Sequence, residues 1–261
     1  MMLHATHAAH AGHSKITIRT VDTDVVVLAV ALVCTLDEKD EVRVSFGTGK
    51  AFCFLAADEM MWALGPEKAQ ALPMFHALTG CDTVSFFAGR GKRTAWEVWT
   101  AVPELTQVLI NLTTAPDQED EDATHTIERF VILLYDRTST STDVDKTRCK
   151  LFARKNNVQL IPPTSAALKQ HVRRAVYQGG HVWGQALLPA PALPSMTDWG
   201  WIKTSDQTYE LHWTTLPEAS EVCRELVSCK CRKGCMQKCK CKKANLKCTH
   251  LCECDGECSE N

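Results

Sequence analysis

The sequence predicts an α/β protein that ends in a small, irregular, cysteine-rich module. Three observations carry this. Near the start, "KITIRTVDTDVVVLAVALVC" (15–34) passes from the alternation of Ile16 and Ile18, the period of a half-buried strand, into an apolar stretch long enough for a helix. "EVRVSFGTGKAFCFL" (41–55) then sets two alternating runs around Gly47-Thr48-Gly49-Lys50, the pattern of a β-hairpin. Finally, nine cysteines crowd between Cys229 and Cys258, a density that no strand or helix needs.

The remaining elements follow in order. Asp24 is placed to cap the first long helix. A helix ends near Leu64, Pro66 opens a second, and a third begins near Lys92, with "GCDTVSFFAGRGK" between the last two. "APDQEDEDATH" from Ala115 is an acidic, exposed loop. "TIERFVILLYDRTSTSTDVDKTRCKLFARKNN" reads as helical with Asp143 as a cap, although "RFVILLYD" alone also suits a buried strand. "TSAALKQHVRRAVYQ" is another helix, and "ALLPAPALPSM" is a proline-rich, extended linker. Trp183, Trp199, Trp201 and Trp213 around that linker either stack on bases or pin it to the core, and pinning is the simpler reading. The expected divisions are 1–112, 113–182 (a helical extension), 183–222 (a connector rich in Pro and Trp) and 223–261.

Composition sets limits on function. With 261 residues, 45% apolar and 23% charged, the chain is an ordinary globular one with room for a sizeable core. The longest apolar stretch, Val25 to Cys34, is too short to span a bilayer, so no membrane partner is expected. The first residues lack the basic and apolar regions of a secretory signal, which points to an intracellular, reducing location. Disulfides are disfavoured there. Cys34, Cys53, Cys81, Cys149 and Cys223 have no ligand spacing and read as small core or surface residues. His4, His7, His10 and His13 recur every three residues, but on a helix that step drifts by about 60° per repeat, which favours a solvent-facing helix over a metal site.

The tail cysteines form three triplets: Cys229, Cys231 and Cys235; Cys239, Cys241 and Cys248; Cys252, Cys254 and Cys258. Nine is odd, which is awkward for disulfides. It suits metal, because three four-coordinate zinc ions need twelve ligand positions, and nine thiolates fill them if three bridge. Three divalent ions and nine thiolates sum to about −3. Lys230, Arg232, Lys233, Lys238, Lys240, Lys242, Lys243 and Lys247 outweigh this by about five charges, the electrostatic footprint of a nucleic-acid binder. The plainer alternative is that the lysines only neutralise thiolates.

This tail resembles the CXC domain of tesmin-type proteins, also found in some chromatin regulators. The resemblance implies three zinc ions on the nine cysteines, DNA contacted by Lys230, Arg232, Lys233, Lys238, Lys240, Lys242 and Lys243, chromatin proteins as further partners, and a nuclear location. Tesmin-type proteins that read one DNA sequence usually carry two such modules and a tyrosine before the fourth cysteine; this chain has one module and Lys238 there. Metallothioneins share the Cys-x-Cys steps, so a metal-buffering tail is a third reading.

"TVDTDVVVLAV" and "ALTGCDTVSFFAGRGKRTAWEVW", in this order, resemble the PIN-like nuclease core of the flap-endonuclease and XPG family. The resemblance implies a partial PIN-like sheet with a helix-hairpin-helix over 1–112. It makes Asp22, Asp24 and Asp82 acids of a magnesium or manganese site, and Gly89, Gly91 and Lys92 a phosphate-gripping hairpin. Apart from the resemblance, a glycine turn opening a helix directs N–H groups at a phosphate with Arg90, Lys92 and Arg93 beside it, or serves as a turn only. The family has several more acids upstream of its D-x-D strand, and here none precedes Asp22. Two-metal hydrolysis wants a ring of carboxylates. The expectation is therefore a degenerate nuclease core joined to a DNA-binding zinc module, with an active metal-dependent nuclease as the alternative; the resemblance alone points to a mobile element or its domesticated relative as the origin. The helix of residues 164–178 sets His171, Arg173 and Arg174 either along a nucleic-acid backbone or on a solvated face. The sequence leaves the oligomeric state open.

Overall fold

The computed structural model describes residues 1–118, 121–154, 160–216, 229–231, 235–236, 238–244, 247–248, 252 and 254. The chain divides into two compact units, Met1–Thr215 and Leu216–Asn261. The first is mixed α/β. The divisions expected at 112 and 182 fall inside it, because one apolar core draws on side chains from Ala71 to Ala175. Cys223, Arg232, Lys233 and Cys258 lie outside the described residues.

α1 (Met2–His10) buries Met2 and Ala5 and leaves His4, His7 and His10 at least partly exposed, as their drifting spacing predicts. β1 (Lys15–Thr20) leads into α2 (Thr23–Val33), then β2 (Glu41–Phe46) and β3 (Cys53–Ala56). β1 and β2 pair in parallel, with Ile16 opposite Val42 and Ile18 opposite Val44, and β3 returns antiparallel to β2. The predicted hairpin is thus present. Ile16, Ile18, Val42 and Val44 face one side of the sheet and pack in one cluster with Ala29 and Val30 of α2 and Met61 of α3 (Ala57–Leu64).

α4 (Pro66–Leu78) joins this cluster to the larger helical core. Ala69 belongs to the sheet side and Ala71, Met74, Phe75 and Leu78 to the helical side, so the second half of α4 is buried nearly all round, while Glu67 and Gln70 of its first half are exposed. Around it pack α5 (Lys92–Ala101), α6 (Leu105–Thr114), α7 (Glu121–Tyr135), α8 (Val144–Arg154) and α9 (Ser165–Val176). Phe75 stacks on Trp99 with ring centroids 4.4 Å apart and meets Phe130 edge-on at 6.4 Å. The indole N–H of Trp99 donates to Thr106 Oγ1 at 3.0 Å, so the buried ring leaves no donor unpaired.

"RFVILLYD" is helical. It is the second half of α7, whose 15 residues bury Ala123, Ile127, Phe130, Val131 and Leu134 at helical spacing, too long a periodic run for a strand. After α9 the chain makes a π-helical turn, Tyr177–Val182. A Cβ at Gly179 would stand 2.8 Å from Met74 Cε and 3.3 Å from Met74 Cα, so this turn packs closely on α4 and a larger residue would require the Met74 side chain to move. The connector then folds back onto the helical core. Trp201 meets Tyr177 at 5.4 Å, Trp199 lies 4.4 Å from the His181 ring, and Trp183 packs against the core. Arg174 stands over the Trp213 ring at 5.6 Å. Tryptophan anchoring holds the proline-rich stretch, and a short hairpin of β4 (Trp201–Lys203) and β5 (Tyr209–Leu211) closes it. No helix among the described residues is long and apolar enough to cross a membrane.

Candidate metal centre

Among the described residues of the second unit, sulfur forms the interior. Cys229, Cys239, Cys241 and Cys252 are buried, and Cys231, Cys235, Cys248 and Cys254 pack around them. The basic residues point the other way: Lys230, Lys238, Lys240, Lys242, Lys243 and Lys247 are exposed. A single helical turn, Lys240–Lys243, opens at Cys239 and buries Cys241 while its lysines face outward.

Sulfur spacing decides between disulfide and metal. Bonded sulfurs lie about 2.05 Å apart. Ligands around tetrahedral zinc, at Zn–S of about 2.3 Å, stand about 3.8 Å from one another. Here Cys229 Sγ lies 3.5 Å from Cys235, 3.8 Å from Cys248 and 3.7 Å from Cys254. Cys239 to Cys248 is 3.9 Å and Cys241 to Cys252 is 3.7 Å. These separations are too long for disulfide bonds and are compatible with the edges of thiolate tetrahedra, the Cys241–Cys252 pair spanning two of them. The eight described tail cysteines fall into three overlapping tetrads: Cys229, Cys231, Cys235 and Cys239; Cys229, Cys239, Cys241 and Cys248; Cys229, Cys248, Cys252 and Cys254. In each, the four sulfurs lie within 4.8 Å of one another. Cys229, Cys239 and Cys248 are shared between tetrads. This cluster is able to hold metal.

Local electrostatics favour thiolates unevenly. The backbone N–H of Lys242 hydrogen-bonds Cys239 and, with its neighbours, brings that thiol down to about 6. Burial, then the Cys252 thiol, pushes Cys241 up to about 12. The bond to Cys229 raises Cys231 to about 11. The backbone N–H of Cys229 donates to Cys252 Sγ at 3.3 Å. A divalent ion must displace protons from such crowded thiols, so metal affinity falls as pH falls.

The front of the chain is arranged differently. Asp22, not Asp24, caps α2: its carboxylate accepts the backbone N–H of Asp24 at 2.8 Å. Asp24, released from capping, pairs with His76 Nε2 of α4 at 2.8 Å. Asp82 is exposed in the loop between α4 and α5. Among the described residues, every group of three or more clustered ligand atoms belongs to the tail, and Asp22, Asp24 and Asp82 form none. His76 had no signal in the sequence, since a histidine on an apolar helix looks like any core residue until α2 packs beside it.

The glycine-rich stretch is also engaged. Lys92 Nζ donates to the His76 carbonyl at 3.1 Å, to Thr79 Oγ1 at 3.1 Å and to the Gly80 carbonyl at 2.6 Å. It closes the C-terminal end of α4, where open carbonyls attract a cation. Lys92 is exposed, and its three hydrogen bonds give it a structural part at this helix end. Arg90 lies over the Tyr135 ring at 5.0 Å, and Arg93 is exposed beside Glu97. Gly89 takes a positive φ of 67°, and Gly91 precedes α5 without a side-chain cap. On α9, His171 and Arg174 are buried, which corrects both readings of that helix face. His171 Nε2 bonds the Leu78 carbonyl at 2.8 Å, and Arg174 donates to the carbonyls of Gly200 at 3.0 Å and His212 at 2.8 Å.

Compared with known proteins, the chain matches no family model, no curated protein and no solved structure.

Proposed function

We propose that the protein binds nucleic acid, DNA in the first instance, through a trinuclear zinc-thiolate module at its C-terminus. The observation that carries this is the segregation within the tail, with sulfur inside in three overlapping tetrads and lysines outside. Three zinc ions would sit in the tetrads, with Cys239 and Cys248 each bridging two ions; Cys229 belongs to all three tetrads, and nine thiolates fill the twelve positions if it bridges two ions and Cys258 supplies the ligand of the third. The zinc supplies folding energy rather than chemistry. The exposed lysines exceed what the cluster needs for neutrality, and the surplus is available to phosphates. The tesmin-type resemblance supports the same reading, including a nuclear location and chromatin partners.

The front unit is read as a degenerate PIN-like core. Asp24 has a histidine where a nuclease would place a divalent ion, Asp22 serves a helix end, and Lys92 holds α4 together. Magnesium- or manganese-dependent cleavage of a flap substrate, abolished by Asp82→Ala, would overturn that part.

Native mass spectrometry of the zinc-loaded chain is expected to show three zinc ions; one or none would remove the cluster. DNA affinity is expected to fall steeply with salt. Replacing Lys240, Lys242 and Lys243 together by alanine should weaken binding and reduce the slope of log affinity against log salt by about 3, one per phosphate contact. An unchanged slope would place the DNA elsewhere.

A further inference from the structure

The proline-rich stretch that precedes β4 takes no part in the metal centre. After a bend at Pro189 and Ala190, the chain runs from Pro191 to Ser195 without helix, strand or turn. Its backbone is nonetheless constrained at almost every residue. The rings of Pro191 and Pro194 hold φ at about −65°, and Ala190 and Leu193, each followed by proline, are kept from the helical region. Ser195 has φ −63° and ψ 133°, the polyproline II conformation. Ala192 alone among residues 190–194 neither is proline nor precedes one, and a side chain fixes it instead. Gln185 Nε2 donates to the Ala192 carbonyl at 2.9 Å, and Gln185 Oε1 accepts the Ala192 N–H at 2.8 Å. Tyr177 Oη donates to the Pro194 carbonyl at 3.3 Å.

Pinned in this way, the segment presents apolar groups to solvent. Leu193 is 48% exposed, Ala190 and Pro191 are exposed, and Pro194 is half-buried. Among the described residues nothing donates to the carbonyls of Ala190, Pro191 and Leu193. Trp183 and Trp199, at either end, turn inward, to the core and to His181, and Leu193 does not follow them. Polyproline II has three residues per turn, so Ala190 and Leu193 share one edge and Pro191 and Pro194 share another. The two bonds from Gln185 fall on Ala192, the residue between the pairs Ala190-Pro191 and Leu193-Pro194.

We infer that residues 190–194 are a preformed polyproline II ligand for a partner protein whose groove is walled by aromatic rings. Such grooves take a Pro-x-x-Pro segment by packing rings against its apolar edges, and Pro191 and Pro194 stand at that spacing. Ring N–H and O–H groups of the groove would meet the open carbonyls. No charged residue occurs between His181 and Asp198, so the groove that fits is an uncharged one. A free proline-rich peptide loses conformational freedom on docking. Here Gln185 and Tyr177 have already removed part of it, which favours binding by the folded chain.

The test titrates the full, zinc-loaded chain against a panel of purified WW and SH3 domains, which read this backbone conformation. At least one is expected to bind saturably, with an affinity that salt leaves nearly unchanged; a steep fall with salt would assign the contact to the basic tail and overturn the proposal. Pro191→Ala and Leu193→Ala, both at exposed positions where folding is not at risk, should each weaken binding about tenfold through lost apolar contact. Gln185→Ala frees Ala192 without touching the presented edges and should weaken binding about threefold. A synthetic peptide of residues 188–196 should likewise bind less tightly than the chain. Absence of saturable binding across the panel, undiminished affinity in the Pro191 and Leu193 variants, or tighter binding of the free peptide, which would mean that the fold hides the segment, each overturns the proposal.

Discussion

His171 shows how one side chain can tie unit stability to pH. It is almost fully enclosed, held by the Leu78 carbonyl and by Ser85 Oγ at 3.3 Å, and burial with the nearby Arg174 charge lowers it to about 4. Its ordinary value is 6.5, so the unfolded chain takes up its proton at a higher pH than the folded chain does. The stability it contributes is full above pH 6.5 and is lost as pH falls toward 4, by about 3 kcal/mol at 1.36 kcal/mol per unit. Denaturant unfolding between pH 7 and pH 4 should show this loss, and His171→Gln should flatten it; an equal slope in the variant would assign the acid sensitivity to other groups. His76 adds in the same direction, lowered by burial and by Lys92 in spite of its bond to Asp24.

The helix starts show local sequence acting almost alone. Asp22 caps α2, Thr164 caps α9 by accepting the Ala167 N–H at 3.2 Å, and Asp143 accepts the Lys146 N–H at 2.9 Å at the start of α8. Asp22→Ala is expected to cost about 1 kcal/mol, measured by thermal unfolding. A negligible change would mean that Asp22 is kept for something other than its cap. The strands, the hairpin and the boundaries at Leu64, Pro66 and Lys92 were all legible, because hydrophobic period and capping chemistry are written within a few residues of where they act. The cap of α2 fell two residues earlier than Asp24 because Thr20 Oγ1 accepts the Asp22 N–H at 3.0 Å and fixes the turn there. "RFVILLYD" was ambiguous for a different reason: so short an apolar run buries equally well as strand or helix, and the longer helical period from Ala123, packed on α5 and α6, selects the helix.

At the scale of the molecule, two interiors are built on different chemistry. Met1–Thr215 is held by apolar packing in which Trp99, Phe130, Leu105 and Leu109 are fully buried, whereas the tail's interior is sulfur. Chelation of metal is therefore expected to abolish DNA binding while the thermal transition of the front unit persists. Simultaneous loss of both, followed by circular dichroism and gel shift on one sample, would show that the front unit depends on metal.

The sequence by itself determined the element types and the sulfur count, and so the expectation of metal over disulfide, because both rest on spacing between near neighbours. Only the tertiary structure decided which charged groups remain available. Asp24 and His76 are 52 residues apart, and His171 and Leu78 are 93 apart. Such pairs form when helices pack, since a polar group carried into a core must find its partner wherever the fold supplies one. That requirement gave His171 and Arg174 their partners inside the fold and tied Lys92 to the end of α4.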